Sequence, residues 1–143
     1  MTTSATPMRP AGILETVLYA RDLGAAEAFY GEVLGLKPFA KQDARHLFYR
    51  CGDQMLLIFN PVATERPPTE GALPVPAHGM QGRGHVCFRA SGAEIAAWRA
   101  RLAARGVAIE ADFTWPGGGR SLYFRDPAGN SLEFAEAAIW KLP

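Results

Sequence analysis

Arg120-Ser121-Leu122-Tyr123-Phe124-Arg125-Asp126-Pro127-Ala128-Gly129-Asn130-Ser131-Leu132-Glu133-Phe134 decides how the chain folds. Two apolar-rich runs flank Asp-Pro-Ala-Gly-Asn, in which the proline presets φ, the glycine permits positive φ, and Asp and Asn bond to nearby backbone. The stretch therefore predicts strand, tight turn, strand. Glu133 is the odd residue. It stands between Leu132 and Phe134, where an unpaired carboxylate is costly to bury and a metal or cationic partner relieves that cost.

The same pattern occurs earlier, without a gap, from Arg45 to Phe59. Arg45, Leu47, Arg50, Leu57 and Phe59 fall on Arg120, Leu122, Arg125, Leu132 and Phe134, which predicts a duplicated unit. In this register Ile58 stands opposite Glu133, so the framework repeats while its chemistry does not.

Working outward, Gly12 to Ala20 reads as a strand with Leu14, Thr16 and Leu18 on one face and Ile13, Glu15 and Val17 on the other. Asp22 caps a helix with Ala26, Phe29, Tyr30, Val33 and Leu34 at helical spacing, and Gly35 ends it. With the strands after Pro38 this makes a β-α-β-β-β module. Gly84 to Arg89 restarts the pattern, placing His85 and Cys87 on one strand face. Ser91 to Glu94 has capping-box spacing, Ile95, Trp98 and Leu102 form an apolar stripe, and Val107 to Phe113 predicts the next strand. Between the modules, Asn60 to Gly84 is rich in Pro and Gly and reads as a crossing linker, with His78 as a solvated loop histidine.

At 143 residues and 48% hydrophobic content, the chain suits one domain over residues 11–143, with modules at 11–60 and 84–136 and a linker at 61–83. Residues 1–10 read as a disordered segment. A formal net charge of +1 gives no general attraction to nucleic acid or an anionic membrane. No apolar run is long enough to span a bilayer, and no signal-peptide core precedes the first strand. Cys51 and Cys87 lack a paired spacing and read as free thiols, which suits a cytoplasmic location.

Glu15 and His85 hold the same place in the first strand of their modules, and Glu133 lies at a framework position whose counterpart is Ile58. If the modules pair about a pseudo-twofold axis, two carboxylates and one imidazole converge on a site for a divalent cation, with positions left open for substrate. Taken singly, each has a plainer reading. Glu15 and Glu133 suit ion pairs with Arg89 or Arg120, and His85 suits a satisfied core position. Tyr123 likewise reads as a packed aromatic, Cys87 as an inert thiol, and Phe48, Phe113 and Trp115 as core or cavity lining.

From Gly12 to Glu136 the pattern resembles the vicinal oxygen chelate superfamily of glyoxalases, bleomycin resistance proteins and extradiol dioxygenases. Leu14-Glu15-Thr16-Val17-Leu18 with Phe29-Tyr30 and Val33-Leu34-Gly35 resembles its first β-α segment, Gly84-His85-Val86 its second, and Asp126-Pro127-Ala128-Gly129-Asn130 with Glu133 its end. The resemblance implies an α+β fold of two βαβββ modules forming a curved mixed sheet, with a metal-site cavity and helices on the outer face. It also implies Glu15, His85 and Glu133 as ligands of Zn, Ni, Mn or Fe, a homodimer, and a small-molecule substrate.

Glyoxalase-type lyase or isomerase chemistry, through an enolate-like intermediate of a substrate with vicinal oxygens, is the activity so implied, with Glu133 as a catalytic residue. Ile58 departs from glyoxalase I, which carries a Glu there. The last stretch is also similar to the extradiol dioxygenase signature, which would make Tyr123 a substrate-facing hydrogen-bond donor or acid. Its upstream histidine is missing from Thr114-Trp115-Pro116, and one His with two carboxylates departs from the iron triad. A drug-binding protein without catalysis is the third reading, against which the presence of all three ligand residues counts.

Overall fold

The computed structural model describes residue 1 and residues 5–143. Residues 5–14 are exposed without regular secondary structure, and the expectation for the N-terminal segment falls in part on residues 2–4, outside the described residues. The first module runs β1 (Glu15–Tyr19), α1 (Leu23–Glu32), β2 (Pro38–Gln42), β3 (His46–Cys51) and β4 (Gln54–Phe59). After a short helix α2 (Pro61–Thr64) the second runs β5 (His85–Arg89), α3 (Gly92–Ala104), β6 (Ala111–Thr114), β7 (Arg120–Arg125) and β8 (Ser131–Ala135), closed by a 3₁₀ turn at Ala137–Trp140.

Each module builds its own four-stranded mixed sheet, β1-β4-β3-β2 and β5-β8-β7-β6, with the first strand parallel to the last and the others antiparallel. The fold is α+β, two βαβββ modules, as the repeat predicts. The caps are the anticipated ones: Asp22 Oδ1 accepts from the Ala25 N–H at 2.9 Å, and Ser91 and Glu94 close a capping box. Strand β6 is shorter than the apolar pattern predicts. Val107 and Ile109 precede it, packed against the core without joining the ladder.

One face of both sheets is covered by helices and holds a single core. Leu18, Tyr30, Leu47, Tyr49, Leu56 and Ile58 join Ile95, Leu102, Leu122, Phe124, Leu132 and Phe134 in one cluster. Each such side chain contributes about 1.5–3 kcal/mol through removal of apolar surface from water. The other face is free of helices. Strand alternation sends Glu15, Val17, Tyr19, Leu57 and Phe59 there from the first module, and His85, Cys87 and Glu133 from the second.

The register corrects one pairing of the repeat. Leu47 opposes Ile58 and Leu122 opposes Phe134, so Ile58 corresponds to Phe134, and the residue corresponding to Glu133 is Leu57. The reason is one extra residue in the second hairpin. Arg50 pairs with Met55, five positions on, while Arg125 pairs with Ser131, six positions on, and Gly129 takes φ 87° to make the longer turn. Both Ile58 and Leu57 are apolar, so the fourth slot still offers neither ligand nor base.

That longer turn also joins the modules. Asn130 donates from Nδ2 to the Tyr19 carbonyl at 3.1 Å and to Asp126 Oδ2 at 2.9 Å, and its Oδ1 accepts from the Gly84 N–H at 2.7 Å. From the other module, the Tyr30 hydroxyl donates to Asp126 Oδ2 at 2.8 Å, and Arg101 of α3 donates to the Val33 and Glu32 carbonyls at the end of α1. The Tyr19 end of β1 therefore lies beside the His85 end of β5, and the two strands run in opposite senses across the junction.

Tyr30 and Tyr49 provide an internal comparison, because both rings are fully buried and lie 5.8 Å apart while only Tyr30 has a protein partner for its hydroxyl. Removing a hydrogen-bonded hydroxyl costs stability; removing an unpartnered one need not. Tyr30→Phe is expected to lower the free energy of unfolding by about 1–2 kcal/mol, and Tyr49→Phe to leave it within about 0.5 kcal/mol or raise it. Urea denaturation of the two variants against the wild type checks both values.

Candidate functional site

His85 opens β5 and Glu133 sits in the middle of β8, and the parallel register sets His85 against Ser131 and Cys87 against Glu133. His85 Nδ1 lies 2.9 Å from the Ser131 carbonyl oxygen, which only accepts, so Nδ1 carries the proton. Nε2 is left with its lone pair, 3.3 Å from Glu133 Oε1. Two acceptor atoms facing each other need a proton or a cation between them. Donors each about 2.1 Å from a shared ion lie about 3.0–3.4 Å apart, which matches the observed spacing.

Glu133 is 5% exposed. Its Oε2 accepts from the Ser121 hydroxyl at 2.6 Å, and Ser121 in turn accepts from Trp115 Nε1 at 2.8 Å. Antiparallel pairing places Tyr123 opposite Glu133, with its phenol on the same side of the sheet as that carboxylate. Burial first, then the Glu133 charge, pushes the Tyr123 hydroxyl above its ordinary value and keeps it protonated. The same causes push the Cys87 thiol up to about 12, so it is a poor nucleophile at neutral pH. Phe113 stacks on Tyr123 at 5.9 Å and packs edge-on against Trp115, so the two aromatics wall this side.

The structure thus brings together His85, Glu133 and Tyr123. It does not bring Glu15 to them within one chain, contrary to the expected convergence. The physical reason is the junction: β1 and β5 run past each other in opposite senses, with Tyr19 at the Gly84 end and Thr16 beside Val86 to Arg89, so Glu15 stands toward the far end of β5 from His85. Among the described residues no group of three His, Cys, Asp or Glu side chains is gathered tightly enough to hold an ion.

Glu15 instead lines a groove of about 730 Å³ on the helix-free face of the first module, with Tyr19, Arg45, His46, Phe48, Leu57, Phe59 and His78. His78 corrects the reading of a solvated loop residue. It is half-buried, its Nδ1 lies 2.6 Å from the Tyr19 hydroxyl, and its ring packs edge-on against Phe59 at 4.7 Å. Nothing local in the Pro-rich linker signals this. Ser121 is also a residue that sequence reasoning passed over, although its parity with Tyr123, across from Glu133, was available once β7 and β8 were paired.

A family model described as Glyoxalase/Bleomycin resistance protein/Dioxygenase superfamily matches residues 12–134. A crystal structure of lactoylglutathione lyase from Agrobacterium tumefaciens is 44% identical, with a TM-score of 0.89, covering 94% of this chain and 100% of that one. A glyoxalase/bleomycin resistance protein/dioxygenase from Nocardioides is 26% identical, with a TM-score of 0.71, covering 92% and 85%. A virulence protein from Salmonella typhimurium is also 26% identical, with a TM-score of 0.65, covering 90% and 98%. No curated protein matches the chain. No helix among the described residues is long and apolar enough to cross a membrane.

Glu133→Gln removes the charge that helps keep the Cys87 thiol protonated and leaves the burial in place. Its pKa is expected to fall from about 12 while staying above the ordinary thiol value. In a Cys51→Ser background and with EDTA present, iodoacetamide should alkylate Cys87 faster in the Glu133→Gln protein across pH 8 to 10, as measured by intact mass.

Proposed function

This chain belongs to the Glyoxalase/Bleomycin resistance protein/Dioxygenase superfamily, and on that premise we propose that it is a divalent-metal-dependent enzyme of glyoxalase type, working as a homodimer. The observation that carries the reading is the facing pair of His85 Nε2 and Glu133 Oε1, each with its other polar atom already engaged by backbone or Ser121. Such anchoring fixes the imidazole tautomer and aims both donors at one point.

His85 and Glu133 of one chain would hold the ion, with Glu15 of the partner subunit as the third ligand or as the free carboxylate beside it. Zn, Ni, Mn and Fe all accept one nitrogen with carboxylate oxygens. Once bound, the ion would supply Lewis acidity to the vicinal oxygens of a small substrate. The remaining chemistry falls to side chains. Ser121 holds Oε2, so Glu133 presents Oε1 to the site. A carboxylate, Glu15 of the partner subunit or Glu133, takes the proton from the carbon next to the substrate carbonyl and returns it during isomerisation or lyase turnover. Tyr123, held protonated by burial and by Glu133, donates to a substrate oxygen.

Metal titration by calorimetry tests the ligand set. Glu133→Ala and His85→Ala are each expected to lose divalent-ion binding. With Glu15 as the third ligand, Glu15→Ala alone also loses binding, and its mixture with Glu133→Ala should recover roughly a quarter of wild-type sites on random exchange, because an exchanged dimer rebuilds one intact site. No recovery on mixing would show that Glu15 is not supplied across an interface. For the chemistry, the metal-loaded wild type should exchange the Cα–H of lactoylglutathione with deuterated solvent, and Glu133→Gln should not, followed by proton NMR. A metal-loaded protein inert toward this and other α-oxygenated thioesters and ketones would overturn the enzymatic reading.

A further inference from the structure

The duplicated arginines do different work in the two modules. Arg120 lies on the helix-covered side and makes two bonds at 2.8 Å to the Asp112 carboxylate, which also pairs with Arg99. Its counterpart by the β3 and β7 register is Arg45, and the counterpart of Asp112 is Lys41, because Asp112 opposes Leu122 as Lys41 opposes Leu47. Without an acid at that position, Arg45 turns to the helix-free side. Its guanidinium lies 5.5 Å from the centre of the Phe59 ring and 2.7 Å from His46 Nδ1. Among the described residues no carboxylate is in salt-bridge contact with it, although the side chain is half-buried.

Three polar groups surround the Phe59 ring at this end of the groove: Arg45, His46 at 5.9 Å between ring centres, and His78 at 4.7 Å. Arg45 and His46 present donors. A guanidinium has no acceptor, so His46 Nδ1 accepts from it and Nε2 carries the proton. His78 Nδ1 shares a hydrogen bond with the Tyr19 hydroxyl at 2.6 Å, which fixes the setting of that ring against Phe59. Burial and the adjacent Arg45 hold the His46 pKa below its ordinary value, so the Arg45–His46 pair carries the single charge of the guanidinium. Phe48 stacks on His46 at 4.0 Å, and Phe39 and Leu57 continue the apolar wall toward Glu15.

From this arrangement we infer that the Phe59 end of the groove is a binding subsite for the carboxylate of an organic acid whose apolar or aromatic body lies along Phe48 and Leu57. A guanidinium beside the His46 Nε2–H matches a monoanionic, planar acceptor. Glu15, the one acidic residue lining the groove, is at its opposite end, about 13 Å along β1. The substrate-class consequence rests on the enzymatic reading above: the molecule carries its reacting oxygens near Glu15 and a terminal carboxylate about that distance away. The subsite itself does not depend on the metal.

The test therefore uses metal-free protein in EDTA. Titration with 3-phenylpropionate, followed by NMR of the imidazole signals, is expected to shift His46 and His78 and leave His85 unmoved. The neutral isostere 3-phenylpropanamide should bind at least about tenfold more weakly, as should 3-phenylpropionate with Arg45→Gln, while Arg45→Lys keeps part of the affinity. Equal affinity of the wild type for acid and amide, or shifts confined to His85, would overturn the proposal, and the first comparison needs no variant to fold. Loss of metal binding or of proton exchange in the experiments on the ligand set leaves this result untouched, so the two readings fail separately.

Discussion

The contact on which the structure depends is the bonding of Asn130 across the module junction. One buried amide ties the Tyr19 carbonyl, the Gly84 N–H and Asp126 together, and Tyr30 adds the helix of the first module to the same carboxylate. A buried polar network of this kind is costly if half satisfied and specific when complete. Here it fixes which ends of β1 and β5 meet. From that choice follow the opposite senses of the two strands, the separation of Glu15 from His85 within a chain, and the division of the helix-free surface into two chemically different halves.

Those halves are built on one framework. Through the register, Glu15 corresponds to His85, Val17 to Cys87, His46 to Ser121, Phe48 to Tyr123 and Leu57 to Glu133. The second module uses these positions for a hydrogen-bonded chain from Trp115 through Ser121 to Glu133. The first uses them for stacked rings around Phe59. The backbone is the same, and the difference lies in whether a buried carboxylate has to be satisfied. Where it does, a serine and a phenol surround it. Where leucine replaces it, aromatic side chains fill the space and the polar groups move to the rim.

Much of this was legible before any coordinates. Alternation gave the correct faces for Glu15, His85 and Glu133, and the caps at Asp22 and Ser91 placed both helices. The equivalence of Glu15 and His85 also holds in the register. What the residues could not reveal has physical causes. A gapless match hides a hairpin longer by one residue, so it sets Ile58 against Glu133 where the register sets Leu57. Strand periodicity reports faces and not distances, so convergence of three ligands required the junction to be known. His78 sits in a linker without periodicity and acquires its role from Tyr19 and Phe59, which are distant in sequence.

Leu57 has one more consequence. A buried carboxylate constrains its neighbours, since changing Ser121 leaves Glu133 Oε2 without the hydroxyl that donates to it. Around Leu57 no such debt exists, and exchange of one apolar ring for another alters shape at little risk to folding. The two halves of the duplicated surface therefore differ in tolerance: apolar exchanges around Leu57 can reshape the first half, while changes beside Glu133 must keep a donor for its carboxylate.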